Sequence, residues 1–203
     1  MAAIDRSYIK NSLSYEEYRQ MGKDLVQQGK TSGPKQDQVL IDFTKLNDKR
    51  MDRLDKTQQL EEDVVQQIKA IKQEQYWVVL TEHWCGDAAA NLPIIDKLAE
   101  QNNRIRLCIL LRDDNPEIMD KYLTNGSKSI PILVIMDRDL NEIGVWGPRP
   151  LEAQQILESW KKTGSTDKSA VLEEVQRWYL QDKGVTLQRE IAALLGGESF
   201  SIS

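Results

Sequence analysis

The stretch that decides the fold runs from Trp77 to Pro93 and reads W-V-V-L-T-E-H-W-C-G-D-A-A-A-N-L-P. Trp77-Val78-Val79-Leu80-Thr81 is an apolar, β-branched run of the kind that fills a buried strand. A short polar link, Glu82-His83, precedes Trp84-Cys85-Gly86-Asp87, and Ala88-Ala89-Ala90-Asn91-Leu92 has the composition of a helix. Cys85 therefore stands where a strand hands over to a helix N-terminus. There the first N–H groups have no intrahelical partner and the dipole favours negative charge. A thiol so placed is biased toward thiolate, the reactive form. Asp87 acts against that bias, because a second negative charge nearby raises the thiol pKa.

Outward from this stretch, the period of the apolar residues changes on both sides. Before Trp77 it is helical. Ser14-Tyr15-Glu16-Glu17 is a capping box opening a helix that stops at Gly29. Val39, Leu40, Phe43, Leu46, Met51 and Leu54 mark a second helix over about 36–54. Thr57 is placed to cap a third, with Leu60, Val64, Val65, Ile68 and Ile71 on one face. After the Cys85 helix, Arg104–Leu111 and Ile130–Met136 read as strands. Asn115-Pro116-Glu117 opens a short helix reaching to about Asn125-Gly126. Glu142–Trp146 returns as a fourth strand, and Gly147-Pro148-Arg149-Pro150 breaks the sheet before a helix at 151–161. Two further helical patterns, 168–180 and 185–195, precede a tail expected to be frayed. The order β-α-β-α-β-β-α makes a four-stranded mixed sheet with flanking helices. The division is a helical extension over 1–75, an α/β core over 76–162 and C-terminal helices over 163–203, all within one compact domain.

The chain has 203 residues, 40% of them hydrophobic and 29% charged, an ordinary globular composition. A net charge of −5 argues against nucleic acid as a main partner. The longest apolar run, Ile130 to Met136, is too short to span a bilayer. The N-terminus carries an early acid and no apolar core, so no secretory signal is expected, and a cytoplasmic location with reduced thiols follows. Two cysteines and one histidine are too few for a structural zinc site, and neither a metal nor a cofactor is expected.

Four features together resemble the thioredoxin superfamily. Trp84-Cys85-Gly86 follows a buried strand; Pro93 lies where the first active-site helix of the family carries a kinking proline. Ile130-Pro131 opens the third strand at the place of the family's cis-proline, and Gly147 follows the fourth, where a glycine borders the substrate groove. The agreement covers about 76–161, and the flanking helices resemble those of a bacterial thioredoxin-like subgroup with W-C-G-D at the site. The resemblance implies a thioredoxin-like core. It also implies a groove made of Trp84, Gly86, Ile130, Pro131 and Gly147, in which Ile130 pairs strand to strand with a polypeptide.

The departures are chemical. The family's C-x-x-C is here Cys85-Gly86-Asp87-Ala88, and Ala88 has no thiol to resolve a mixed disulfide, so dithiol turnover through this motif is excluded. Val79 stands where the family keeps a buried carboxylate, and Ile109 where it keeps the partner lysine. Cys108, mid-strand, reads as a core residue pointing away from the site edge. Two functions stay open. One is monothiol exchange, in which Cys85 attacks a protein or small-thiol disulfide and an external thiol resolves it. The other is a redox-inactive module that binds a polypeptide in the groove. Arg149, just beyond Gly147, is a candidate partner for the thiolate or for a substrate carboxylate, or else a solvated corner residue. His83 reads as a surface imidazole, and Arg112-Asp113-Asp114 as a solvated loop. The helical extension either covers a sheet edge or caps the groove.

Overall fold

The structure, a computed structural model, describes residues 4–197; the frayed tail expected beyond Gly197 lies outside the described residues. Strands β1 (Gln75–Thr81), β2 (Ile105–Leu111), β3 (Ile132–Asp137) and β4 (Glu142–Trp146) form one sheet in the order β2-β1-β3-β4. β1 runs parallel to β2 and antiparallel to β3, and β3 is antiparallel to β4. The two central strands are apolar on both faces because helices cover both. On one face Trp77, Val79, Ile109, Leu133 and Ile135 join a core with α2 (Tyr15–Gln27), α4 (Glu62–Ala70), α5 (Gly86–Ala99) and α9 (Val185–Leu195). On the other, Val78, Leu80, Cys108, Leu110, Ile132 and Val134 pack with α1 (Arg6–Asn11) and the one-turn helix α6 (Pro116–Met119). Val79 and Ile109 face each other across the β1–β2 register, both fully buried, so the position of the family's polar pair is filled by two hydrocarbons.

The N-terminal helices are tied to this core by specific bonds. Ser14 and Glu17 complete the capping box of α2: the Glu17 N–H donates to Ser14 Oγ at 3.2 Å, and the Ser14 N–H to Glu17 Oε2 at 2.7 Å. Leu13 exchanges two backbone hydrogen bonds with Ile109, which covers the otherwise open edge of β2. Arg19 of α2 reaches α3 (Gln38–Thr57) and pairs with Asp48, Asp52 and Asp55 at 2.8, 2.6 and 3.1 Å. At the other end, Glu190 of α9 accepts from Trp146 Nε1 at 2.6 Å and from the Leu151 N–H at 2.8 Å. That one carboxylate fastens α9 to β4 and to the start of α7 (Leu151–Lys162).

Two local expectations are corrected and one helix is added. Thr57 does not cap a helix; it lies in the last turn of α3 and its Oγ1 donates to the Arg53 carbonyl at 2.9 Å, the i−4 bond a threonine hydroxyl makes inside a helix. α6 ends at Met119 rather than near Gly126, because Asn125-Gly126 form a tight turn at φ 48° and 76° bridging Thr124 to Ser127. Asn-Gly with both residues at positive φ is the hairpin-turn signature, not a helix end. α1, capped by Asp5 accepting from the Ser7 N–H at 2.7 Å, has no apolar period and was not expected.

Candidate functional site

Cys85 is the N-cap residue of α5, with extended backbone at φ −78° and ψ 114°. Its sulfur accepts the Ala88 N–H at 3.4 Å, and its S–H donates to the Ile130 carbonyl at 3.3 Å. The side chain is 6% exposed. Burial and the neighbouring Asp87 charge push the thiol up to about 12, against the opposing pull of the Ala88 N–H and Arg149. The helix terminus supplies the expected N–H at sulfur, but desolvation outweighs it. One hydrogen bond at 3.4 Å does not offset removal of a thiolate from water.

The Ile130 carbonyl, just before Pro131, stands against this thiol. The peptide between them is cis, as is the one between Gly147 and Pro148. Gly147 adopts φ 126°, and a Cβ added there would fall against the Pro131 carbonyl oxygen and within 3.2 Å of Ile132 Cα. The position admits only glycine, for steric reasons and for backbone reasons.

Arg149 pairs with a carboxylate of the protein itself. Its Nη2 lies 2.6 Å from Asp87 Oδ2, and the same carboxylate accepts the Tyr179 hydroxyl at 3.0 Å. Tyr179 belongs to α8 (Ser169–Asp182) and also accepts from Asn91 Nδ2 at 3.0 Å. Burial raises the Asp87 carboxyl, and Arg149 and Tyr179 pull it back down. Asp87 is the junction between α5, the Gly147–Pro150 corner and α8. Arg149 Nε is buried with no partner among the described residues.

His83 is not on the surface. It is 6% exposed, its ring stacks on Tyr18 at 4.0 Å between centroids, and Nε2 meets the Tyr18 carbonyl at 3.0 Å. Burial depresses its pKa to about 4, so it is neutral at physiological pH. Its orientation is fixed by the helical extension, where Asn47 Nδ2 donates to the His83 carbonyl at 3.0 Å. Glu82, also fully buried, accepts from the Ser32 hydroxyl and from the Asp113 N–H at 2.9 Å. Arg112 is likewise not a free loop residue; it pairs with Asp113 at 2.7 Å and lies 4.8 Å over the Trp84 ring. Cys108 is fully buried mid-strand, in the apolar cluster that includes Cys85.

The thiol lies at the floor of a cleft of about 550 Å³. Trp84, Gly86, Ile130 and Arg149 line it, as does Asp87. Its walls come from outside the α/β core: Leu40, Phe43 and Arg50 of α3 on one side, Leu172, Val175 and Gln176 of α8 on the other. None of these six was expected at the site from the sequence; Leu40 and Phe43 were read only as markers of a helix. The one signal was that the apolar residues of 36–54 are more numerous than one buried face needs, and three of them stay open: Val39 at 63%, Phe43 at 39% and Leu46 at 43% exposure. Among the described residues no group of three His, Cys, Asp or Glu side chains is arranged to hold a metal ion, and no helix is long and apolar enough to cross a membrane.

A strand-turn-helix carrying a cysteine at the helix cap, facing a cis-proline at the start of an antiparallel strand, defines the thioredoxin class. A thioredoxin family model matches residues 33–161, and the chain belongs to that family. The match takes in α3 as well as the sheet. A protein of unknown function from Pseudomonas aeruginosa has a similar crystal structure, with TM-score 0.58 and 17% identity over 91% of this chain and 98% of that one. An HIV epitope-scaffold is similar at TM-score 0.55 and 18% identity, over 92% of this chain and 99% of the other. Both show the fold alone. A comparison with curated proteins gives no match.

Proposed function

We propose that this protein is a redox-quiescent thioredoxin-fold module that binds a polypeptide in the cleft over Cys85. The observation that carries the reading is the state of the thiol: 6% exposed, donating to the Ile130 carbonyl, and pushed up to about 12. A thiol in that state is protonated at neutral pH and is a poor nucleophile. The groove does not need it. Ile130 provides backbone at the cleft, Pro131 and Gly147 pack behind it without lining the cleft themselves, and Trp84 with the α3 and α8 residues provides apolar surface. The exposed stripe Val39-Phe43-Leu46 continues that surface along α3 beyond the cleft, which suits a chain longer than a single small molecule.

Monothiol exchange is the second reading, favoured by the Ala88 N–H at 3.4 Å from the sulfur. The two separate in one experiment. Reduction of a glutathione mixed disulfide by excess glutathione is followed with native protein and with Cys85→Ser. The binding reading predicts background rates for both and the same peptide affinity for both. Turnover by the native protein that Cys85→Ser abolishes contradicts it.

A further inference from the structure

Among the described residues four cations line the cleft, and three of them are already paired. Arg149 is held by Asp87 at 2.6 Å, Arg112 by Asp113 at 2.7 Å and Lys128 by Asp120 at 2.7 Å. Arg50 differs. Its Nη1 donates to the neutral Asn47 Oδ1 at 3.2 Å, and no carboxylate among the described residues forms an ion pair with it. It is half-buried, and an arginine keeps its charge there. Nη1 stands 3.5 Å, and Gln176 Nε2 3.6 Å, from where a Cβ on Gly86 would be. Two N–H donors, one charged, therefore converge from α3 and α8 over the residue next to Cys85. Of the two acids lining the cleft among the described residues, Asp87 is bonded to Arg149 and acts on Arg50 only through space, and Glu173 is exposed. Around the donors the walls are apolar: Leu40, Phe43, Leu172 and Val175.

We infer that the polypeptide this cleft takes carries an acidic side chain among apolar residues, with the carboxylate held by Arg50 and Gln176. The inference rests on the polypeptide reading and deepens it. The backbone edge at Ile130 takes main chain, so the group that reaches Arg50, beside Gly86, is a side chain. A carboxylate there gives Arg50 the directly bonded counter-charge it lacks among the described residues, and an arginine–carboxylate bond in a partly desolvated site is among the stronger polar contacts. Gly86 puts no side chain of its own between the two donors, and a Cβ at that position would be in ordinary contact with both.

The test begins with a random heptapeptide display library selected on the immobilised full chain. Selected sequences are expected to share one Asp or Glu flanked by apolar residues. Replacing that acid by its amide is expected to weaken binding, read by fluorescence anisotropy, by about tenfold or more. Arg50→Gln is expected to abolish the difference between acid and amide, and Arg50→Lys to keep part of it, with thermal unfolding showing both variants folded. The acid–amide comparison on native protein stands even if a variant does not fold. Apolar peptides selected without an acid, and bound equally by R50Q, overturn the inference and leave the polypeptide reading in place. Failure to recover any peptide above an unrelated control surface overturns that reading and the inference with it.

Discussion

Arg149 Nη2 lies 2.6 Å from Asp87 Oδ2, which makes the charge next to the thiol half of a buried ion pair and not a free carboxylate. Removing one member leaves the other buried without its counter-charge, and that is the costly change, not removal of the pair. Arg149→Met is therefore expected to destabilise the protein by about 3 kcal/mol in urea unfolding. The double variant Arg149→Met/Asp87→Asn is expected to regain more than half of that. Equal loss in the single and double variants contradicts the pairing.

Asp87 also sets the thiol. Its negative charge is the second cause, after burial, of the raised Cys85 pKa. Asp87→Asn is thus expected to speed alkylation of Cys85 at pH 8 relative to native protein, measured in a Cys108→Ser background. An unchanged rate means that burial alone holds the thiol protonated.

Gly147 and Pro131 shape the groove through contact of their backbones. A side chain at Gly147 meets both the Pro131 carbonyl oxygen and a φ of 126° that L residues rarely adopt. Gly147→Val is expected to cost more than about 2 kcal/mol of stability. In whatever folded fraction remains, it abolishes peptide binding. A variant that binds as native does places the polypeptide site elsewhere.

A buried histidine and a half-buried aspartate give the stability opposite pH slopes. His83 is depressed by burial to about 4, so between pH 6.5 and about 4 the unfolded chain binds the extra proton, and stability falls as the pH falls. Asp96, in α5, is raised to about 7 by burial and then by Glu100 and Asp55. Its contribution is present below the unfolded pKa near 4 and is lost as pH rises toward 7. His83→Phe is expected to remove the acid-side loss, and Asp96→Asn to raise stability at pH 8 by roughly 1 kcal/mol while leaving pH 4 unchanged. Urea unfolding at the two pH values measures both. A native-like pH profile in either variant contradicts the assignment.

The fold was legible because its signals are local. The apolar run at Trp77, the capping box at Ser14 and the placement of Pro93, Ile130-Pro131 and Gly147 each lie within a few residues, where period and turn chemistry are strong. The site was legible only at its floor. Arg50, Phe43, Leu172 and Gln176 come from helices whose pattern reads as ordinary amphipathic surface, and nothing local says which wall they form. His83 was misread for the same reason: its burial depends on Tyr18, a residue of α2 that packs on it only in the folded chain. The thiol pKa was misjudged because a helix terminus is visible in sequence and desolvation is not.

The measurement that bears most directly on the central claim is the alkylation rate of Cys85 by iodoacetamide against pH, in Cys108→Ser protein. A thiol buried against the Ile130 carbonyl and beside Asp87 should react slowly at neutral pH and show an apparent pKa well above the unperturbed ~8.5. An apparent pKa clearly below that value would make Cys85 a thiolate under working conditions and contradict the redox-quiescent reading.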